Sequence, residues 1–178
     1  MRNCGQAIVL IGFMGSGKSA VGRAVAARMG VACLDTDQMV RVHAGRGIRE
    51  IFEQLGEERF REMEAESLEE LSGDKPVVVV TGGGIVLRKA NVEVLQRLGL
   101  LVYLFADEET LFQRVAQCDN RPLLRTADPR ATLHELYTAR KPLYEEAADV
   151  SIDTSRCSIP QVVELVLHDI AAACTAKL

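Results

Sequence analysis

The stretch Ile8-Val9-Leu10-Ile11-Gly12-Phe13-Met14-Gly15-Ser16-Gly17-Lys18-Ser19 decides the fold. Four apolar residues run directly into the pattern GxxxxGK[ST], and Val21, Ala24 and Val25 follow at helical spacing. This is a strand, a phosphate-binding loop and a helix in sequence. Glycines let the backbone turn successive N–H groups toward an anion, with no Cβ to block its approach. A helix starting near Gly17 adds the positive end of its dipole and its unpaired N–H groups. Lys18 brings a mobile positive charge to the outer phosphates, and the Ser19 hydroxyl is a hard oxygen ligand for Mg²⁺. Eight matched positions in this setting separate it from a glycine-rich turn that merely precedes a helix. The reading predicts a nucleoside triphosphate site over Gly15, Ser16, Gly17, Lys18, Ser19 and Ala20.

Working outward, short apolar runs alternate with helical patterns, as in a parallel sheet wound with helices. Strands are expected at Ala7–Ile11, Val31–Leu34, Val77–Val80, Leu100–Phe105 and Val150–Ile152. The all-valine run Val77–Val80 suits a central strand buried on both faces, and Pro76 can start such a strand but not continue it. An acidic helix is expected from Glu57 to Leu71, with Phe60, Met63, Ser67 and Leu71 on one stripe. Ser158 should cap a last helix that accepts Pro160 in its first turn and turns Val162, Val163, Val166 and Ile170 inward. Gly45-Arg46-Gly47 and residues 118–130 read as the most mobile stretches.

The 178 residues fit one domain with its own core. A net charge of −4 leaves no global basic field for nucleic acid or an anionic membrane, so positive charge must be local. Five cysteines (Cys4, Cys33, Cys118, Cys157, Cys174) form no CxxC pair and leave an odd one over. That argues against a disulfide framework or zinc site and for a reducing compartment. No apolar run approaches bilayer length, and the expectation is a cytoplasmic protein. His43, His134 and His168 stand apart without metal-ligand spacing and read as surface residues.

Three further clusters narrow the chemistry. Leu34-Asp35-Thr36-Asp37 ends the second strand, and ligands of open α/β sheets bind beyond the carboxyl ends of strands. One acid can serve a Mg²⁺ shell while the other accepts a proton from a hydroxyl. Helix capping is the competing role for either. Thr81-Gly82-Gly83-Gly84 ends the Val77–Val80 strand and lets a ligand approach the backbone; as a flexible turn it would cost entropy without return. Arg61, Arg121 and Arg140 would each read alone as a surface charge, and take their meaning from being read together. Arg61 can pair with Glu64 three residues on. The acidic run Glu57–Glu70 otherwise reads as a solvated helix face.

Taken in order, GFMGSGKS, LDTD, GEERFRE, TGGG, NRPLL and ARKPLY resemble the shikimate kinase family over most of the chain. The phosphate loop alone is common to many NTPases; the full set is specific. The resemblance implies a three-layer α/β/α P-loop NTPase fold with a five-stranded parallel sheet in the order 2-3-1-4-5 and helices on both faces. It implies a substrate-binding region at about 36–72, a lid at about 116–130, and one domain over 1–178. It also implies ATP-dependent phosphorylation of the 3-hydroxyl of shikimate by a monomer that uses Mg²⁺. Carried over, Lys18 and Ser19 serve the phosphates and Mg²⁺, with Asp35 in the metal shell. Asp37 binds the ring hydroxyls, including the acceptor. Arg61 and Arg140 hold the carboxylate, with the Gly82, Gly83 and Gly84 turn beside it. Arg121 reaches the transferring phosphoryl group from the lid, and Arg114 and Arg156 are adenine-side contacts. Ser19 stands where some members have Thr, and Cys118-Asp119 sets an acid near Arg121.

The chemistry is consistent with those residues. A guanidinium fork suits a carboxylate bidentately, and orienting the ring brings one hydroxyl toward the terminal phosphate. Phe52 and Phe60 could line the ring pocket or simply fill the core. A gluconate kinase-like enzyme is the competing assignment. A guanine-nucleotide switch would need an NKxD tetrapeptide, which the sequence lacks. A catalytically silent nucleotide-binding protein would not need Lys18, Asp37 and Arg121 together.

Overall fold

A computed structural model describes residues 7–71, 75–116, 122–124 and 126–175. Five parallel strands, β1 (Ala7–Ile11), β2 (Ala32–Asp35), β3 (Val77–Val80), β4 (Gly99–Phe105) and β5 (Val150–Asp153), form one sheet in the order β2-β3-β1-β4-β5. Ala7 lies opposite both Val77 and Gly99, and the ladders run on to Leu10–Val80 and Ile11–Tyr103. The expected sheet order is the observed one.

Side chains alternate across a strand, and the sheet sorts them into two cores. Val9, Ile11, Val79, Leu101 and Tyr103 face one way and pack with Leu95, Leu111, Leu133 and Tyr144. These come from α4 (Lys89–Leu98), α5 (Glu108–Ala116) and α6 (Pro129–Ala147). Ile8, Leu10, Val78, Val80 and Val102 face the other way, against Val21 and Val25 of α1 (Lys18–Met29) and Val162, Val163 and Val166 of α7 (Ile159–Thr175). A smaller cluster of Val40, Ile51 and Phe60 joins α2 (Thr36–Ala44) to α3 (Ile48–Glu69). That satellite core carries one wall of the site.

Several boundaries differ from the expectations, each for a local reason. β2 runs one residue later, so Asp35 is both the last strand residue and the N-cap of α2, accepting from the Gln38 N–H at 3.2 Å. Val77–Val80 is interior, between β2 and β1, while β1 is the central strand. The acidic helix starts at Ile48 and kinks at Gly56, whose φ of 82° breaks the helical path. α6 continues through Pro142. Proline costs that helix a hydrogen bond, but Leu133, Tyr137, Arg140, Tyr144 and Ala147 are all buried along it and hold it in place. Ser158 precedes α7 as expected, with the Gln161 side chain accepting from its N–H and its hydroxyl at 2.8 Å. His43, His134 and His168 are exposed.

Candidate active site

The loops after β1, β2 and β3 meet at one end of the sheet, because parallel strands bring all their carboxyl ends there. Thr81 and Thr36 join them: Thr81 donates from its N–H and hydroxyl to the Leu10 carbonyl, and the Gly82 N–H donates to Thr36 Oγ1 at 3.1 Å.

In the phosphate loop, Gly15 and Gly17 take φ of 82° and 94°, conformations that a Cβ would strain. Gly17 then caps α1 without a side-chain bond, leaving the helix start open to an anion. Ser16 is fully buried, and its Oγ has no hydrogen-bond partner among the described residues. Lys18 is buried, and its Nζ donates to the Gly12 and Phe13 carbonyls at 2.9 and 2.8 Å, which holds the ammonium inside the loop. Arg114 ties this loop to the segment after β5. It donates to the Gly15 carbonyl at 3.3 Å, to Thr154 Oγ1 at 3.0 Å and to the Thr154 carbonyl at 2.7 Å. Arg156 lies exposed two residues beyond Thr154.

The Ser19 hydroxyl faces Asp35 Oδ2 at 3.5 Å, so Asp35 both caps α2 and places a hard oxygen beside the loop. The capping reading of this aspartate holds. The pair suits Mg²⁺, which favours oxygen ligands. Among the described residues no cluster of three or more His, Cys, Asp or Glu could cage a metal. An ion here would therefore draw the rest of its shell from nucleotide phosphates and water.

A cavity of about 190 Å³ opens beside the loop. Met14 from the phosphate loop, Gly82, Gly83 and Gly84, the apolar Ile48, Phe52 and Phe60, and the polar Asp37, Arg61, Glu64 and Arg140 all line it. Arg41, Arg49 and Leu123 complete its rim. The glycine turn is needed for close approach. A Cβ at Gly82 would lie 2.5 Å from Asp37 Oδ1 and 2.6 Å from Glu64 Oε1, and one at Gly84 would fall within the Arg61 guanidinium. Tyr144, one turn beyond Arg140 on α6, donates its hydroxyl to the Gly83 carbonyl and fixes the turn from behind. Phe52 and Phe60 do both things asked of them, touching at 4.8 Å between ring centroids and facing the cavity.

The electrostatics ask for an anion. Arg61 and Arg140 are 8% and 5% exposed. Burial holds the Arg140 guanidinium below its ordinary pKa, and the Arg61 charge adds to the effect. Arg61 donates from Nη1 to Glu64 and from Nη2 to Glu57 at 2.9 Å, and these partners outweigh its burial and raise its pKa. Glu64 is fully buried; desolvation lifts its carboxyl above the usual range against the pull of Arg61, with Asp37 adding to the rise. This corrects the picture of the Glu57–Glu70 run as a solvated face: Glu64 is a wall of the cavity. Two buried cations, a turn that brings backbone close, and Asp37 beside them could orient a small acid bearing hydroxyl groups.

Comparison with known proteins narrows this to one family. The family model described as shikimate kinase matches residues 14–171. The shikimate kinase of Ruegeria pomeroyi is 48% identical over 170 residues, covering 96% of this chain and 86% of that protein. The chain belongs to the shikimate kinase family. The shikimate kinase of Cupriavidus pinatubonensis is 44% identical over 93% of this chain and 86% of its own length. The structure of shikimate kinase from Acinetobacter baumannii in complex with shikimate superposes with a TM-score of 0.90 at 36% identity, over 96% of this chain and 95% of that one. A gluconokinase from Sinorhizobium meliloti shares the fold, with a TM-score of 0.59 at 19% identity over 96% of this chain and 94% of that one.

Within this shikimate kinase fold, the structure gathers Asp37, Arg61, Gly82, Gly83, Gly84 and Arg140 at one cavity. Lys18 and Ser19 open α1 directly after the adjoining phosphate loop. Arg121 lies outside the described residues, as does most of 116–121; Leu123 reaches the cavity from just beyond it. Sequence reasoning missed Glu64 as a buried wall, Thr36 as the acceptor for Gly82, and Tyr144 as the support of Gly83. The signal for Glu64 was present. It lies one turn from both Phe60 and Ser67, which the sequence places on one stripe of the helix.

Proposed function

We infer that this chain transfers the terminal phosphoryl group of ATP to the 3-hydroxyl of shikimate, giving shikimate 3-phosphate and ADP in the route to chorismate and the aromatic amino acids. One observation carries the reading: Asp37, Arg61 and Arg140 converge on a single cavity whose wall includes Met14 of the phosphate loop. The acid site and the phosphoryl donor site therefore share a boundary.

The roles proposed here join the geometry of the site to the family resemblance. The phosphate loop over Gly15–Ala20 and the open start of α1 hold the β- and γ-phosphates, and Lys18 exchanges its bonds to the Gly12 and Phe13 carbonyls for phosphate oxygens. Arg114 and Arg156 flank the adenine side. Ser19 and Asp35 would hold Mg²⁺, which when bound neutralises charge on the phosphates. Arg61 and Arg140 take the shikimate carboxylate, and the Gly82–Gly84 turn lets the ring lie against the backbone. That orientation sets the 3-hydroxyl beside Asp37, which accepts its proton as the oxygen attacks phosphorus. Arg121 supplies positive charge to the transferring group. We take the chain as one domain and a cytoplasmic monomer, with residues 36–72 as the acid-binding region and about 116–130 as the lid that excludes water. No helix among the described residues is long and apolar enough to cross a membrane.

ADP release measured with and without shikimate, and with gluconate in its place, tests the reading. Turnover that requires shikimate supports it. Equal turnover with gluconate, or none with shikimate, overturns it.

A further inference from the structure

We propose that Glu57 is an internal carboxylate that competes with the substrate acid for Arg61 and so sets the affinity of the acid site. This rests on the reading of the cavity as a site for a carboxylated ring alcohol. Arginine offers a carboxylate the edge formed by Nε and Nη2, which lie on the same side of the guanidinium. Here Nη2 already donates to Glu57 Oε1 at 2.9 Å, while Nε is buried with no partner among the described residues. One of the two nitrogens of this edge is thus engaged by Glu57, and the other has no acceptor among the described residues. The opposite donor, Nη1, serves Glu64, which is fully buried and cannot leave. Glu57 can leave: its side chain is 46% exposed.

The backbone provides the means. Glu57 follows Gly56, where the helix is kinked at φ 82° and ψ 169°, and a Cβ at Gly56 would meet nothing within 4 Å. No neighbour crowds the chain at Gly56, and the exposed Glu57 side chain can swing out to water. Charge points the same way. Arg61 and Arg140 both feel Glu57 and Glu64, and Asp37 lines the same cavity, so the two cations already share it with three carboxylates before any acid arrives. An incoming carboxylate is favoured when the exposed one withdraws to water. Glu57 thus acts as a stand-in that keeps Arg61 paired until the substrate displaces it.

Glu57→Gln keeps size and helix position and removes the charge. A pair with one partner open to water is worth little, so shikimate should bind about two- to fivefold more tightly to the variant by calorimetry. Its KM should fall with it, while kcat and the KM for ATP stay as in wild type. The carboxamide analogue of shikimate, which makes no claim as an anion on the fork, should bind both proteins alike. Unchanged or weaker shikimate binding in the variant overturns the proposal, as does equal tightening of the carboxamide. Wild-type protein that fails to bind shikimate at all overturns the functional reading, and this inference with it.

Discussion

Gly84→Ala isolates the acid clamp, because the backbone at this position suits alanine. Gly84 has φ −103° and ψ 0°, open to any residue, so the new methyl group acts through space alone. That space is filled by Arg61. The added Cβ would lie 2.1 Å from Nη1 and 2.3 Å from both Cζ and Nη2, whereas ordinary contact begins near 3.4 Å. The guanidinium would have to retreat by more than about 1 Å. A lysine or glutamine tip would swing away easily. Arg61 cannot, because the fully buried Glu64 holds it and the Phe60 ring centroid lies 5.2 Å from Cζ. A hydrogen bond to a charged group contributes about 1.5–3 kcal/mol, so losing the aligned fork should weaken shikimate binding by roughly 10- to 150-fold. Overpacking should lower stability by about 1–3 kcal/mol. Calorimetry with shikimate, and separately with ADP, reads both sites on one protein. Nucleotide affinity should stay within about twofold. A folded Gly84→Ala protein with wild-type shikimate affinity would show that the position of Arg61 against the glycine turn is irrelevant to the acid.

Three further outcomes are expected. Asp37→Asn should retain ATP binding and lose turnover by about 10²-fold or more, since it removes the base beside the acceptor hydroxyl; an active variant would take Asp37 out of the chemistry. Arg121→Ala should lower kcat by about 10³-fold with little change in shikimate affinity, by the usual worth of an arginine on a transferring phosphoryl group; wild-type turnover would make it a bystander. Glu64 titrates above the ordinary glutamate value in the folded chain, mainly through burial. In the window from that ordinary value up to its raised folded value, the native state holds more of this proton than the unfolded state. This contribution therefore gains stability as pH falls through the window and loses it as pH rises. Glu64→Gln should remove that component from the pH dependence of the urea midpoint, and an unaltered profile would show that the carboxyl does not titrate there.

Much of this was legible in the chain because its signals are local. The strand–glycine–helix run at residues 8–19 fixes the phosphate loop by backbone requirements alone, and the valine run at 77–80 can only be an interior strand. The carboxyl ends of parallel strands then bring Asp35, Asp37 and Gly82–Gly84 together without knowledge of any side-chain contact. What the sequence hid depends on neighbours distant along the chain. Glu64 looks like one more acid in an acidic helix until Gly82 and Arg140 are seen to bury it. Tyr144 looks like core until Gly83, 61 residues earlier, proves to be its acceptor. Proline at 142 signals a helix break by local rules, but buried Arg140 and Tyr144 on either side carry the helix through it. Gly56 carries a kink that apolar spacing does not reveal, since the stripe resumes on its far side.

The claim on which the rest depends is that the two buried guanidiniums orient the acid so that its alcohol meets the terminal phosphate. A crystal structure of the chain with ADP and shikimate tests it directly. The expected density places the carboxylate within hydrogen-bond distance of Arg61 and Arg140, and the 3-hydroxyl beside Asp37 on the side of the phosphate loop. Shikimate bound away from both arginines, or with its 3-hydroxyl turned from the nucleotide, would contradict the account.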